Sequence, residues 1–491
     1  MQFVERIKKL DYKCILIIFL CIIFFVGPLF PISYPTDIYS INLLGFKEYA
    51  FKWFLPSGRT IGIMFLNIFD SISLGVDSYI TIMKIIAIIL SIISIYLLYD
   101  LIINHSHKQL SKHKYLVLLF SIALLLNHGT YQYFYYPESG IMWLGILLVI
   151  LALRSLIISD NKFKYLIIWF YIFVAMNCYQ AIIYFYLPAV IALTFSKEEP
   201  FKNMIQRIVK NFLVVISCLI LGYIFVFLAR QLFDVISYKS IDLVINIENI
   251  KYFFNFLLLN YDYGGIPNIF ILLLNLYIMI VSLFETNDKS TKTRLLMAEL
   301  LIFLGSFLEV YLTVCLTNFY LNDRIQFAYI VSILLNSFLL IVNTNILDRS
   351  IAKKIVYCVL TALILFNIGN SHNMTFYYHL SEKNTVEYVN NIKNSIKKYE
   401  ETSGQKITTI KWCLDSSFTP FDENVRKLTE VSAKRIGEWC TADAIEYYFG
   451  NNYKIIQDDD LIESQFDNNN WESFSNDQLK FVTDTLLLCI Y

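Results

Sequence analysis

The side chains best suited to chemistry fall in short polar segments between long apolar blocks. The segment "SYPTDIYSINLLGFKEYAFKWFLPSGRT" carries Asp37, Glu48 and Arg59. Asp37 has the basicity to take a proton from an attacking hydroxyl, and it is equally suited to cap the helix that "IYSINLLGF" would form. Arg59 follows the turn residues Ser57 and Gly58 and opens an apolar stretch. A guanidinium in that place either anchors a helix at a membrane interface or clamps a phosphate with its planar fork of donors. Downstream, "NHGTYQYFYYPES" runs through five aromatic residues to Glu138. Such a run fits a membrane-interface belt, and aromatic faces also stack on sugar rings. "NCYQA" puts Tyr179 and Gln180 in the middle of an apolar block, where they suit the tip of a helical hairpin or a substrate contact. "NYDYGGIP" sets Asp262 between two tyrosines at a glycine turn, and "LNDRIQ" brings Asp323 and Arg324 to the start of another block. Each residue has an ordinary structural role open to it. The recurrence of a carboxylate, an arginine or a Tyr/Gln pair in nearly every such segment brings them to the same membrane level.

Those residues must be positioned by membrane helices. Of the 491 residues 57% are hydrophobic and 16% charged, and the mean hydropathy is +0.55. The apolar residues come in unbroken runs such as "CILIIFLCIIFFVGPLF" from Cys14 and "IFILLLNLYIMIVSLF" from Ile269. Runs of this kind approach the ~20 residues that cross a hydrocarbon core of ~30 Å. They do not alternate polar with apolar, so helices rather than barrel strands satisfy their backbone groups in lipid. About eleven spans are expected, at roughly 14–30, 79–103, 115–127, 140–158, 164–177, 181–195, 211–229, 266–284, 295–316, 325–343 and 355–369. The first follows Arg6, Lys8, Lys9 and Lys13 and lacks a small-residue cleavage site, as an uncleaved signal anchor would.

Charge sets the orientation. With the block 164–195 split at Asn177–Gln180, the cytoplasmic segments and adjoining span ends carry about 20 Lys and Arg, and the outer loops before the last domain carry 7. Lys and Arg are retained inside, so the N-terminus is expected in the cytoplasm and residues 370–491 outside. From Asn370 onward 12 basic residues face 19 acidic ones. This portion reads as a small extracytoplasmic α/β domain, with strands at "ITTIKWCL" and "TLLLCIY" and helices at "TVEYVNNIKNSIKKYE" and "TADAIEYYF". The expected domains are therefore 1–369 in the membrane and 370–491 in the periplasm. Two long outer segments, 31–78 and 230–265, hold apolar stretches suited to lying in the interface.

Several chemistries are excluded. The sequence has no Walker loop, no GxGxxG opening a helix, no HExxH and no GxSxG. No polybasic arm suggests nucleic acid. Its nine cysteines form no CxxC pair and have no histidine partner at metal spacing. In the outer domain a Cys413–Cys440 disulfide is expected, with Cys489 the rival for either partner and three buried free thiols as the alternative. Within the spans Lys84 is nearly the sole strong charge, with Glu299 and Glu309 near the ninth, fewer than an ion-coupled transporter usually needs.

The run "YPTDIYSINLLGF…KWFLPSGRTIG", the later "NCYQAIIYF" and the "NDR" entering a span together resemble the bacterial type II glucosyltransferase family, over about residues 31–345. Members of that family include phage-encoded enzymes that convert O-antigen serotype. The resemblance implies a GT-C-like architecture. It implies transfer of glucose from undecaprenyl phosphate glucose to a hydroxyl of lipid-linked O-antigen at the periplasmic face of the bacterial inner membrane. In that scheme Asp37 is the candidate base, Arg59 and Arg324 are the candidate clamps on the donor phosphate, and Glu138, Tyr179, Gln180 and Asp262 are the candidate substrate contacts. Where the family often shows two adjacent acids, this chain has Thr36 and Asp37, so Glu48 becomes the candidate second carboxylate. The scheme is inverting and needs no cofactor, and no strong site for a divalent metal stands out. An O-antigen polymerase and a flippase or transporter of lipid-linked sugars are the competing classes.

Overall fold

The computed structural model describes residues 11–27, 37–195, 199–233, 261–262, 266–267, 289–316, 323–343, 345–348, 350–415, 441–466 and 474–490, with a few single positions besides. The chain divides into two compact units. The first comprises Met1–Gly27, Ala50–Ser71 and Ser78–Ser371, and the second Pro28–Tyr49, Ile72–Asp77 and His372–Tyr491.

The first unit is helical. Val76–Ser106, Ser139–Ile158, Phe201–Ala229 and Ser350–Ser403 each contain a stretch long and apolar enough to cross a membrane. The pair Gln109–Leu125 and His128–Tyr135, bent by 61°, adds a fifth if it is one broken span. Four or five such helices among the described residues fit a helical membrane protein. The apolar surface they leave uncovered agrees with this. In Phe201–Ala229 just 22% of the most apolar window is buried inside the protein, and Leu213 and Phe227 stand more than half exposed. Contiguous apolar surface of that extent is avoided in water and is ordinary against lipid. Tyr12–Val26, Thr60–Ser71, Lys164–Cys178 and Gln180–Thr194 are shorter apolar helices. The expected span 266–284 lies outside the described residues apart from single positions.

Breaks in apolar helices leave backbone carbonyls without helical partners, and here side chains supply them. At the 61° bend Asn127 caps the following helix, its Oδ1 accepting from Thr130 N at 3.2 Å while Thr130 Oγ1 accepts from Asn127 N at 3.0 Å. This is a reciprocal capping pair. The Leu124 carbonyl accepts from Asn127 Nδ2 (2.9 Å), that of Leu125 from Thr130 Oγ1 (2.8 Å) and that of Leu126 from Asn367 Nδ2 (3.1 Å). The block 164–195 breaks too, with Lys164–Cys178 ending at Tyr179, whose backbone is extended before Gln180–Phe185 resumes as a 3-10 turn.

The second unit is built on a four-stranded sheet, with strands β1 (Thr409–Leu414), β2 (Lys454–Gln457), β3 (Leu479–Val482) and β4 (Thr485–Ile490) in the order β2-β1-β4-β3. Strands β2, β1 and β4 run parallel, and β3 pairs antiparallel as a hairpin with β4. The sequence pattern indicates β1 and β4, which are rich in apolar residues, but not the short, half-polar β2 and β3. The residues of β4 from Leu486 to Ile490 are all buried, as a central strand covered on both faces must be. One cover is the stripe Tyr388, Val389, Ile392 and Ile396 of the helix Ser350–Ser403, spaced at helical period and almost fully buried. Tyr388 donates to the Cys489 carbonyl at 3.3 Å, and Tyr399 stacks on Phe481 at 4.4 Å.

The second unit also takes in the helix Asp37–Tyr49, which the sequence reading assigned to the membrane portion. Tyr39 packs on Tyr447 and Tyr448 at 5.3 and 5.6 Å, its hydroxyl lies 3.1 Å from that of Tyr448, and Ser40 donates to the Asp443 carboxylate.

Cys413 and Cys489 are register partners on β1 and β4, both buried free thiols. Cys440, the other half of the expected bridge, lies outside the described residues. Hydrogen bonding from Cys489 holds the Cys413 thiol below its ordinary range, while the same contact and burial push Cys489 up. Alkylation of the denatured full-length protein without reductant should modify both. Peptide mapping that recovers Cys413 in a disulfide overturns this assignment.

Candidate functional site

In the first unit the loop from Ala50 to Arg59 folds against the break at Tyr179. Ala50–Phe54 is a single wide turn, and the chain then reverses through Ser57 and Gly58 into the helix Thr60–Ser71. Arg59 N bonds back to the Phe54 carbonyl at 2.9 Å, and Gly58 N to that of Leu55 at 3.1 Å. Gly58 sits at φ +73°, and a Cβ there would come 2.7 Å from Val226 Cγ2 and 3.1 Å from Gln180 Nε2. Both the backbone conformation and the crowding call for glycine.

Polar side chains lock the two segments together. Gln180 donates from Nε2 to the Ser57 carbonyl. Thr60 donates from Oγ1 to Asn177 Oδ1 at 2.7 Å, and Asn177 Nδ2 donates to the Phe173 carbonyl at 2.8 Å. These contacts set Arg59 over the ring of Tyr179, with Cζ at 4.9 Å from its centre, and beside Phe54 at 5.8 Å. Tyr179 is itself buried and meets Tyr133 edge-on at 5.6 Å, which in turn meets Phe327 at 5.5 Å.

Arg59 forms no ion pair with any described carboxylate, and its buried Nε has no hydrogen-bond partner there. A guanidinium stacked on aromatic faces is fixed in orientation with its donor edge still free. An unmade hydrogen bond at a buried donor costs about 1–3 kcal/mol, which an anionic acceptor would relieve. The sequence marked Arg59, Tyr179 and Gln180 individually, and the fold brings all three together. Thr60, Asn177 and Tyr133 were not singled out, although Asn177 was legible as a polar residue inside an apolar block.

The remaining candidates are placed as follows. Glu138 precedes the helix Ser139–Ile158 and is buried, 5% exposed, without capping that helix through its side chain. Asp262 pairs with Ile266 in a two-residue antiparallel ladder, and Arg324 is the second residue of the helix Asp323–Asn343. The side chains of Asp262 and Arg324 lie outside the described residues.

Asp37 and Glu48 belong to the second unit. Asp37 opens its helix, and its Oδ1 accepts from the Tyr49 hydroxyl at 3.0 Å. Residues 12 apart on a straight helix would be separated by ~18 Å along the axis. They meet because Gly45, at φ +75° and ψ 165°, folds the chain back. Glu48 is exposed. Among the described residues no group of three or more His, Cys, Asp or Glu is arranged to hold a metal ion.

No protein-family model, curated protein or solved structure matches the chain.

The locked loop gives a direct test. Gly58→Ala should cost about 1–3 kcal/mol through the left-handed backbone alone, read as a lowered Tm of the purified full-length protein. An unchanged Tm would mean that the turn at Gly58 is not held as described.

Proposed function

We propose that the protein is a polytopic membrane glycosyltransferase of GT-C-like architecture, with about eleven spans. Its N-terminus is cytoplasmic and its C-terminal domain periplasmic. It transfers glucose from undecaprenyl phosphate glucose to lipid-linked O-antigen, as the resemblance to the type II glucosyltransferase family implies. The observation that carries this reading is Arg59, stacked on Tyr179 with donors unused. A polyprenyl phosphate leaving group needs cationic stabilisation rather than a proton, and a preorganised guanidinium supplies it. A loop fixed by Gln180 and Asn177 holds the guanidinium in place.

In the proposed step an acceptor hydroxyl oxygen bonds to the anomeric carbon as the bond from that carbon to the phosphate oxygen breaks. The hydroxyl proton passes to a carboxylate, and the polyprenyl phosphate leaves as the anion. Asp37 is the candidate base, its orientation fixed by Tyr49, and Glu48 is the second. Arg324 is the candidate second cation at the phosphate.

Asp37→Asn keeps the size of the side chain and removes its basicity. If Asp37 is the base, glucosylation should fall by about 10²-fold or more, with normal accumulation in the membrane. If it merely caps the helix, Asn should substitute with activity intact. Arg59→Lys keeps the charge but loses the planar fork, so a partial defect is expected. The readout is structural analysis of the O-antigen with and without the gene, and a change in the lipopolysaccharide ladder length would indicate a polymerase instead. Alkaline phosphatase fused after Asn370 should be active, and an inactive fusion would overturn the topology.

A further inference from the structure

At the other end of the first unit's helices lies a cavity of about 410 Å³. Four basic side chains line it: His105, Lys164, Arg207 and Lys210. They come from the end of the turn Ile102–Ser106, the start of the helix Lys164–Cys178 and the first turns of the helix Phe201–Phe233. Arg207 is matched by Glu199, to which it donates twice at 2.6 Å, and it also donates to the Thr194 carbonyl at 3.0 Å. Lys164 and Lys210 are not matched. Each ammonium stands 5.8 Å from the ring of Tyr165, and neither pairs with a carboxylate among the described residues. Two ammonium groups drawn to one ring, in a concave wall, form a positive field that a bound anion would neutralise.

The position of the cavity narrows the ligand. Lys164 opens the helix that ends at Cys178, next to Tyr179 of the Arg59 cluster. Fifteen residues at 1.5 Å each set the two ends ~22 Å apart, much of a ~30 Å hydrocarbon core. With this helix spanning as the expected topology has it, the cavity lies at the membrane face opposite Arg59. Its charged wall adjoins surface that only lipid would cover. Phe163 and Leu166, on either side of Lys164, are 55% and 63% exposed, and Val209, next to Lys210, is 47% exposed. Asn203 and Gln206 add amide groups to the lining, which suit hydroxyls rather than a bare inorganic anion. Basic pockets between membrane helices on the side rich in Lys and Arg take phosphate-bearing head groups.

We infer that this cavity binds the phosphate and polyol head group of an anionic glycerophospholipid. Lys164 and Lys210 take the phosphate charge, and Asn203 and Gln206 take the head-group hydroxyls. The inference does not depend on glycosyl transfer, since it concerns other residues at the other face.

The test uses the full-length protein in detergent with mixed phosphatidylglycerol and phosphatidylcholine, read by native mass spectrometry. The wild-type protein should retain phosphatidylglycerol over phosphatidylcholine by roughly tenfold or more, from two charges at the surface. The double variant Lys164→Gln/Lys210→Gln should lose that preference, whereas Lys162→Gln, an exposed neighbour outside the lining, should keep it. Equal retention of the two lipids by the wild type overturns the inference, as does a preference that survives the double variant or is lost in Lys162→Gln. Amine acylation of the wild-type protein supplies a readout that needs no variant. Phosphatidylglycerol should shield Lys164 and Lys210 while phosphatidylcholine does not. Shielding by free glycerol phosphate with none by phosphatidylglycerol would overturn the lipid assignment.

Discussion

Every interruption of a helix in an apolar surrounding exposes backbone carbonyls and amides that no water is present to satisfy, and the first unit is organised around meeting that demand. Two interruptions stand out. At Leu124–Leu126 three successive carbonyls are taken up by Asn127, Thr130 and Asn367. At Tyr179 the neighbours Asn177 and Gln180 are used, one on its own helix and one on the loop carrying Ser57. A polar residue inside an apolar block is costly unless it is bonded. Here the bonding places each one where it fixes a bend, and the bend at Tyr179 also creates the seat for Arg59.

Charge in the first unit sorts by level. Arg59 lies at one end of the helix Lys164–Cys178, and Lys164, with Arg207 and Lys210 nearby, at the other. The two sites handle their cations differently. Arg59 is held by aromatic rings with an edge left free, which suits a ligand that arrives and departs. Arg207 is already neutralised by Glu199, so that site relies on its two lysines. Flexible ammonium stems follow a mobile head group, whereas a planar fork demands one geometry. The difference matches the two roles proposed, transfer at Arg59 and lipid binding at Lys164 and Lys210.

The second unit couples two segments that are far apart in the chain. Its sheet is closed by hydrophobic stripes, and the helix Thr441–Phe449 supplies the link to the helix Asp37–Tyr49 through Tyr39, Tyr448 and the Ser40–Asp443 hydrogen bond. The C-terminal residues thereby help to hold the segment on which the candidate base lies. Gly45 adds the reversal that lets the Tyr49 hydroxyl reach Asp37.

The sequence by itself determined the helical membrane class, because unbroken apolar blocks have no other stable form in lipid. It marked the break in 164–195 through the Lys and Arg balance, since an unsplit block would place "KSTKTR" and "RSIAKK" on the outer side. It also indicated β1 and β4, whose apolar and β-branched residues carry their own signal. It did not indicate β2 and β3, which are short, half exposed and defined by the ladders they complete. Nor could it join Arg59 to Tyr179, because that pairing spans 120 positions and rests on Gly58 tolerating φ +73° beside Gln180. The grouping of Asp37 with the C-terminal sheet, and of Lys164 with Lys210 around Tyr165, belongs to the tertiary structure for the same reason. Local pattern fixes which segments become helices or strands, whereas which side chains meet is decided by long-range packing that no window of sequence contains.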